Sequence, residues 1–233
     1  MKVDKTPELL LLHALPLDGT MWANQMGLLP DATYAPTLYP FGDCIEDWAA
    51  KALALAKGNR LIVVGSSVGG SCALEIAALA PDRVAALVLI GTKANRRPDP
   101  DFLASALETI REKGLASAWH EMWEPLFSDK TLPRTVSEAK HIALRQSPED
   151  VSRGVAVFHT RPSREEVLST FPGRVIVVTG SEDIAPGLEI SKKQAKLAQQ
   201  GSLHVIIECG HYVPMERPEA LNAILREVIA AHA

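Results

Sequence analysis

The sequence has little of what marks several protein classes. It contains three cysteines, Cys44, Cys72 and Cys209, an odd number at wide spacings. That argues against a disulfide scaffold and a zinc ribbon. Basic residues are not in excess: 24 Lys and Arg stand against 28 Asp and Glu, for a formal charge of −4. A general nucleic-acid binder, or a binder of anionic membranes, carries the opposite balance. No stretch approaches the roughly 20 apolar residues that span a bilayer. The run Leu9–Leu12, continued by Ala14, Leu15 and Leu17, is broken by His13 and Asp18, and Asp4 and Glu8 stand where a signal peptide is positive. It reads as a buried strand, and the protein as soluble and cytoplasmic. No two histidines have metal-ligand spacing, G-x-G-x-x-G is absent, and there is no internal repeat. Neither a metal nor a cofactor is expected.

What is present is alternation. Apolar runs at Glu8–His13, Arg60–Gly65, Val84–Gly91, Arg174–Thr179 and Leu203–Glu208 have the continuous character of strands covered on both faces. Between them lie segments of helical period. Ile45, Trp48, Ala49, Ala52 and Leu53 form one apolar stripe. Pro218 opens a second helix, whose Leu221, Ile224, Leu225, Val228 and Ile229 fall on one face. Strand–helix alternation implies an α/β domain with a mostly parallel sheet and right-handed crossovers. The pattern fails over residues 92–171, which have helical periodicity and no convincing strand. A structureless loop of that length is implausible. The expected organisation is therefore an α/β core of residues 1–91 and 172–233 interrupted by a helical cap, 92–171.

The chemistry concentrates in three loops. The run Leu61–Val64 leads into Gly65-Ser66-Ser67-Val68-Gly69, and a helix-like Cys72–Ala80 follows. This is a G-x-S-x-G nucleophile elbow centred on Ser67. A sharp strand-to-helix turn strains the nucleophile's backbone and needs small neighbours two residues away, which Gly65 and Gly69 supply. It also sets Ser67 at a helix N-terminus, where backbone N–H groups favour negative charge. Serine needs a base, and the base an orienting carboxylate. Of seven histidines, His211 lies just past the last apolar run, in the loop region where such sheets build sites. His13 and His204 lie within strands, His120, His141 and His159 in the cap, and His232 in the tail. Asp183, in Gly180-Ser181-Glu182-Asp183, is the chosen carboxylate, with Glu182 the neighbouring alternative. The order Ser, Asp, His fits this topology.

With these residues in view, the chain resembles the α/β-hydrolase superfamily, especially its small bacterial esterase, lactonase and haloperoxidase-like members. His13-Ala14-Leu15-Pro16 looks like the family's His-Gly-x-Pro segment, with Ala14 in place of Gly. Gly210, His211, Glu216 and Pro218 look like its Gly-His-x-x-x-x-Glu-x-Pro stretch. The resemblance covers nearly the whole chain. It implies an oxyanion hole made by the backbone N–H groups of Leu15 and Val68. It also implies a sheet of about six strands that lacks the first two strands of the usual fold.

The resemblance implies a serine hydrolase acting on a small ester, lactone or thioester through Ser67, Asp183 and His211, as monomer or homodimer, without nucleic-acid or membrane partners. Alternatives on the same residues are haloperoxidase-like perhydrolysis, hydroxynitrile-lyase-type chemistry, or a slow ligand-binding sensor. Trp119, Trp123, Phe127 and Phe158 of the cap are candidates for the substrate pocket, although their spacing equally fits packing onto the core. Cys72 and Cys209 read as small buried hydrophobes. Arg96, Arg97, Arg161 and Arg164 read first as a solvated charged face and second as a dock for an acidic substrate.

Overall fold

The computed structural model describes residues 6–233, so Asp4 lies outside the described residues. Six strands form one wholly parallel sheet in the order β2-β1-β3-β4-β5-β6. They are β1 (Glu8–Leu12), β2 (Thr33–Tyr34), β3 (Leu61–Ser66), β4 (Val84–Ile90), β5 (Arg174–Gly180) and β6 (Gln200–Ile206). Every residue of β3 is buried, as are six of the seven in β4 and in β5. That is why these central strands read as unbroken apolar runs. Two differences from the sequence reading lie at the edges. β2 has only two residues, too few for a pattern. β6 starts earlier than expected, at Gln200-Gly201-Ser202, because an edge strand has few buried positions to mark as apolar.

The chain starts at β1, steps to β2 on one side, then moves outward through β3 to β6 on the other. Right-handed crossovers put the connections of the outward steps on one face. Those helices are α1 (Ile45–Leu55), α2 (Val68–Leu79), α7 (Glu165–Thr170) and α8 (Leu188–Leu197), and each touches the next. The opposite step puts the 3-10 turns Gly19–Trp22 and Met26–Leu28 on the other face, where α9 (Pro218–Ala230) packs. The stripes anticipated in the sequence are the faces that fold inward: Ile45, Trp48, Ala49 and Ala52 in α1, and Leu221, Ile224, Leu225 and Val228 in α9.

Between β4 and β5 the chain is helical. It contains α3 (Pro100–Glu108), α4 (Gly114–Ala118), α5 (Pro133–Leu144) and α6 (Pro148–Thr160), then α7. π-helical turns at Thr109–Lys113 and Trp119–Trp123 flank α4; such turns redirect side chains and recur near functional sites. This insertion is fastened to the core by polar contacts. Arg145 donates to Asp18 at 2.9 Å, and Arg153 to Asp43 at 2.9 Å. Among the described residues no helix is long and apolar enough to cross a membrane.

Two of the four arginines, Arg161 and Arg164, depart from the solvated-face reading, whereas Arg97 is exposed. Arg164 forms a two-pronged ion pair with Glu75 of α2, at 2.6 and 2.8 Å. Glu75 is buried, and a buried carboxylate without its cation would be strongly destabilising. Arg161 is buried too. Neither side chain belongs to a solvated face.

Candidate active site

The step reversal between β1 and β3 creates a crevice at the C-terminal ends of the strands, the usual ligand position in an open parallel sheet. A cavity of about 470 Å³ occupies it, within the range of small-molecule sites. Residues from the loops after β1, β3, β4, β5 and β6 line its core side: Leu15, Ser67, Gly91, Ile184 and His211. The helical insertion closes the other side, with Phe102, Met122, Trp123 and Phe158 among its contributions.

Ser67 sits between β3 and α2 with φ 54° and ψ −116°, a left-handed conformation rare for a residue with a side chain. The turn is held by the Ser67 N–H, which donates to Ile90 O at 2.8 Å, and by Gly70 N–H, which donates to Ser67 O at 3.0 Å. Close approach explains the glycine at 69: a Cβ there would lie 2.2 Å from Leu12 O in the adjacent strand. The arrangement presents Ser67 half-exposed to the cavity at the start of α2.

His211 is buried apart from its cavity face, and its Nδ1 lies 3.1 Å from Asp183 Oδ1. The same oxygen accepts the Ala185 N–H at 2.8 Å, while Oδ2 is buried without a protein partner. Glu182 points elsewhere and accepts from Ser128 Oγ at 2.6 Å. Gly91 has φ +54°, and a Cβ there would come within 2.8 Å of the His211 ring and 3.1 Å of Asp183 Oδ2. The sequence reading marked Gly91 only as the end of a strand; its role is to leave room for this pair.

The N–H groups of Leu15 and Val68 donate to no acceptor among the described residues. The loop carrying Leu15 is fixed around that free donor. His13 is buried, and its Nε2 accepts the Leu38 N–H at 2.9 Å. Burial lowers its pKa to about 4, so the ring is neutral at physiological pH. The Ala14 N–H is taken by Met21 Sδ at 3.3 Å, and Leu15 O accepts the Tyr212 hydroxyl at 2.9 Å.

Trp123 and Phe158 line the cavity, whereas Trp119 and Phe127 do not. Trp119 is fully buried with its ring 5.9 Å from that of Phe127, and Phe127 stacks on Tyr212 at 4.5 Å. These two rings support the loop behind the cavity, the packing alternative noted in the sequence. Cys72 and Cys209 are buried, and burial pushes both thiols well above their ordinary range, so neither is a ready nucleophile. Among the described residues no His, Cys, Asp and Glu group of three or more could hold a metal ion.

Glu216 organises the His211 loop. This buried carboxylate accepts the N–H groups on either side of His211, from Gly210 at 3.0 Å and Tyr212 at 2.9 Å. It also accepts the Ser128 N–H at 3.0 Å and the Thr131 hydroxyl. Glu216→Gln keeps the size but turns one acceptor into a donor facing donors. The expected result is a loss of about 1–3 kcal/mol in denaturant unfolding, together with a lower kcat. Unaltered stability and kcat would show that the loop holds its shape without the carboxylate.

The α/β-hydrolase family model matches residues 9–224. A 2-hydroxy-6-oxo-2,4-heptadienoate hydrolase of Pseudomonas putida is 23% identical over 262 residues, covering 95% of this chain and 88% of that protein. Lipase LipV of Mycobacterium tuberculosis is 26% identical, with 93% and 91% covered. Among solved structures, a thermophilic esterase from Thermogutta terrifontis superposes with a TM-score of 0.87 at 26% identity, covering 97% of this chain and 90% of that one. An enol-lactonase from Burkholderia xenovorans shares the fold, with a TM-score of 0.84 at 18% identity and 99% and 94% covered. With the parallel sheet, the helical cap and a family match over most of its length, the chain belongs to the α/β-hydrolase family.

Proposed function

We propose that the protein is a serine hydrolase that cleaves a small carboxylic ester, lactone or thioester through an acyl-enzyme. Hydrolase chemistry of the esterase type is what family and fold support. The observation that carries the finer reading is that Ser67, on its strained turn, and His211, bonded to Asp183, face one cavity. The names of the relatives, an esterase, an enol-lactonase and a lipase, agree with acyl transfer.

In this reading His211 takes the Ser67 proton as Oγ attacks the scissile carbonyl. The free N–H groups of Leu15 and Val68 stabilise the oxyanion, where fixed donors act without reorganisation. Collapse of the tetrahedral intermediate expels the alcohol or thiol, which takes the proton from His211. Water then attacks the acyl-enzyme with His211 as base, releasing the acid and restoring Ser67. Asp183 holds the imidazole with Nδ1 protonated and stabilises the imidazolium that forms at each transfer. Cap residues exclude bulk water and set which acyl groups fit.

A fluorophosphonate tests the reading without knowledge of the substrate. Serine attack at phosphorus displaces fluoride and leaves a stable phosphonyl adduct, expected on the peptide bearing Ser67 by mass spectrometry. The absence of an adduct, or an adduct on another serine, would sink it.

A further inference from the structure

One wall of the cavity carries cationic chemistry that acyl transfer does not use. Lys93, in the loop after β4, lines the cavity, as does His159 of α6. No carboxylate-bearing residue is among those lining it. The Lys93 ammonium forms no hydrogen bond or ion pair with any described residue. Behind it, Arg161 is buried with its guanidinium 3.9 Å from the centre of the Phe158 ring, and its hydrogen bonds go to carbonyl oxygens rather than to an acid. Arg96 donates to Thr160 O at 3.3 Å, while its Nε is buried without a partner.

The two guanidinium charges act on each other, and burial together with them holds His159, on the same wall, in its neutral form. Burial and then the Arg96 charge lower the Arg161 pKa to about 10, and burial and then Arg161 lower that of His159. Asp99 is the acid that opposes this at His159. A group of cations with so little local compensation favours an incoming anion.

The backbone around Lys93 is held on every side. Buried Gln194 accepts the Ala94 N–H at 2.6 Å and donates to Thr92 O at 2.7 Å. Lys93 O accepts from Arg161 at 3.3 Å, and Ala94 O accepts the Arg164 N–H at 2.9 Å. These bonds fix where the Lys93 side chain begins, at the rim of the cavity that it lines. The remainder of the wall, including Phe102, Met122 and Ile184, is apolar.

We propose that the cavity selects substrates that carry a free carboxylate besides the scissile acyl group, with Lys93 binding the carboxylate and Arg96 and Arg161 supplying the field. The proposal rests on the serine-hydrolase reading and assigns it a substrate class: an acidic ester with a short apolar spacer.

The test compares a 4-nitrophenyl monoester of glutaric acid with 4-nitrophenyl valerate, which lacks the carboxylate. A second pair, 4-carboxyphenyl and phenyl valerate, moves the carboxylate to the leaving group. Wild-type enzyme is expected to favour the acidic member of one pair by about tenfold or more in kcat/KM, chiefly through KM. In Lys93→Met that preference falls at least about tenfold, and in Lys93→Arg most of it returns. Equal use of acidic and neutral members in both pairs, or a preference unmoved in Lys93→Met, overturns the proposal. Binding of glutarate to a Ser67→Ala protein, followed by calorimetry, separates the two readings. If wild type turns over no ester while glutarate binds and Lys93→Met abolishes that binding, the anion site stands and the hydrolase reading fails. If valerate is hydrolysed and glutarate does not bind, the reverse holds.

Discussion

Replacing Ser67 with alanine lowers turnover of a short-chain aryl ester by about 10⁴-fold or more and leaves the folded protein intact. The loss is large because the deleted oxygen is the proposed attacking atom, and nothing else on the core side of the cavity replaces it. Lys93 is a poor substitute while protonated, and both nearby thiols are buried and neutral. The fold survives because the turn is held by main-chain bonds, from Ser67 N–H to Ile90 O and from Gly70 N–H to Ser67 O, which alanine keeps. Ser67→Gly supplies a control on the strain. At φ 54° a side chain costs on the order of 1–3 kcal/mol, which glycine relieves against a smaller loss through the unfolded chain. The glycine variant should melt above the alanine variant while both are inactive. Ester turnover that persisted in Ser67→Ala at the wild-type rate would end the serine-hydrolase reading.

Asp183→Asn is expected to reduce kcat by about 10⁴-fold with a much smaller effect on KM. Asp183 Oδ1 faces two donors, the His211 ring at 3.1 Å and the Ala185 N–H at 2.8 Å. Asparagine has two ways to sit there, and both fail. With its oxygen at the Oδ1 position, the amide NH2 occupies the buried Oδ2 site and the carboxylate charge is lost. With the amide turned, NH2 meets the Ala185 N–H, and His211 must present an unprotonated Nδ1. The proton then rests on Nε2, and the ring cannot act as a base toward Ser67. Either way the negative charge that stabilises the imidazolium is gone. Steady-state kinetics beside a near-ultraviolet spectrum of the folded state would check this. A kcat within tenfold of wild type would show that Asp183 is dispensable as the orienting group.

The parts of the molecule legible in the sequence are those where one residue type has one physical reason to be there. Unbroken Leu, Ile and Val in β3 and β5 report strands covered on both faces, and Gly65 and Gly69 around Ser67 report a turn too tight for side chains. Asp183 could be nominated because it follows β5 within a few residues, and His211 because it lies in the loop after the last apolar run. What stayed hidden depends on direction in space. Trp119, Trp123, Phe127 and Phe158 look alike in sequence, but only Trp123 and Phe158 face the cavity, a distinction made by how the cap helices are turned. Gln194 stands 100 residues from Ala94, to which it bonds. Arg164 does have a signal in the sequence: Glu75 is the one acid in the mostly small and apolar α2, and a buried acid needs a cation.

The carboxylate of Glu216 also has a mechanical consequence. It ties the chain on both sides of His211 to Ser128 and Thr131, while the His211 N–H itself donates to Leu126 O at 2.8 Å. Residues 126–131 leave the roof of the cavity yet are bolted to its floor. A cap that swung outward as one rigid piece would drag the His211 imidazole with it. Movement that keeps the machinery aligned must pivot on either side of this segment, leaving it as the fixed half of the hinge. Roof and floor thus share a common anchor, so that opening of the cavity and the placement of His211 are coupled through the same few hydrogen bonds.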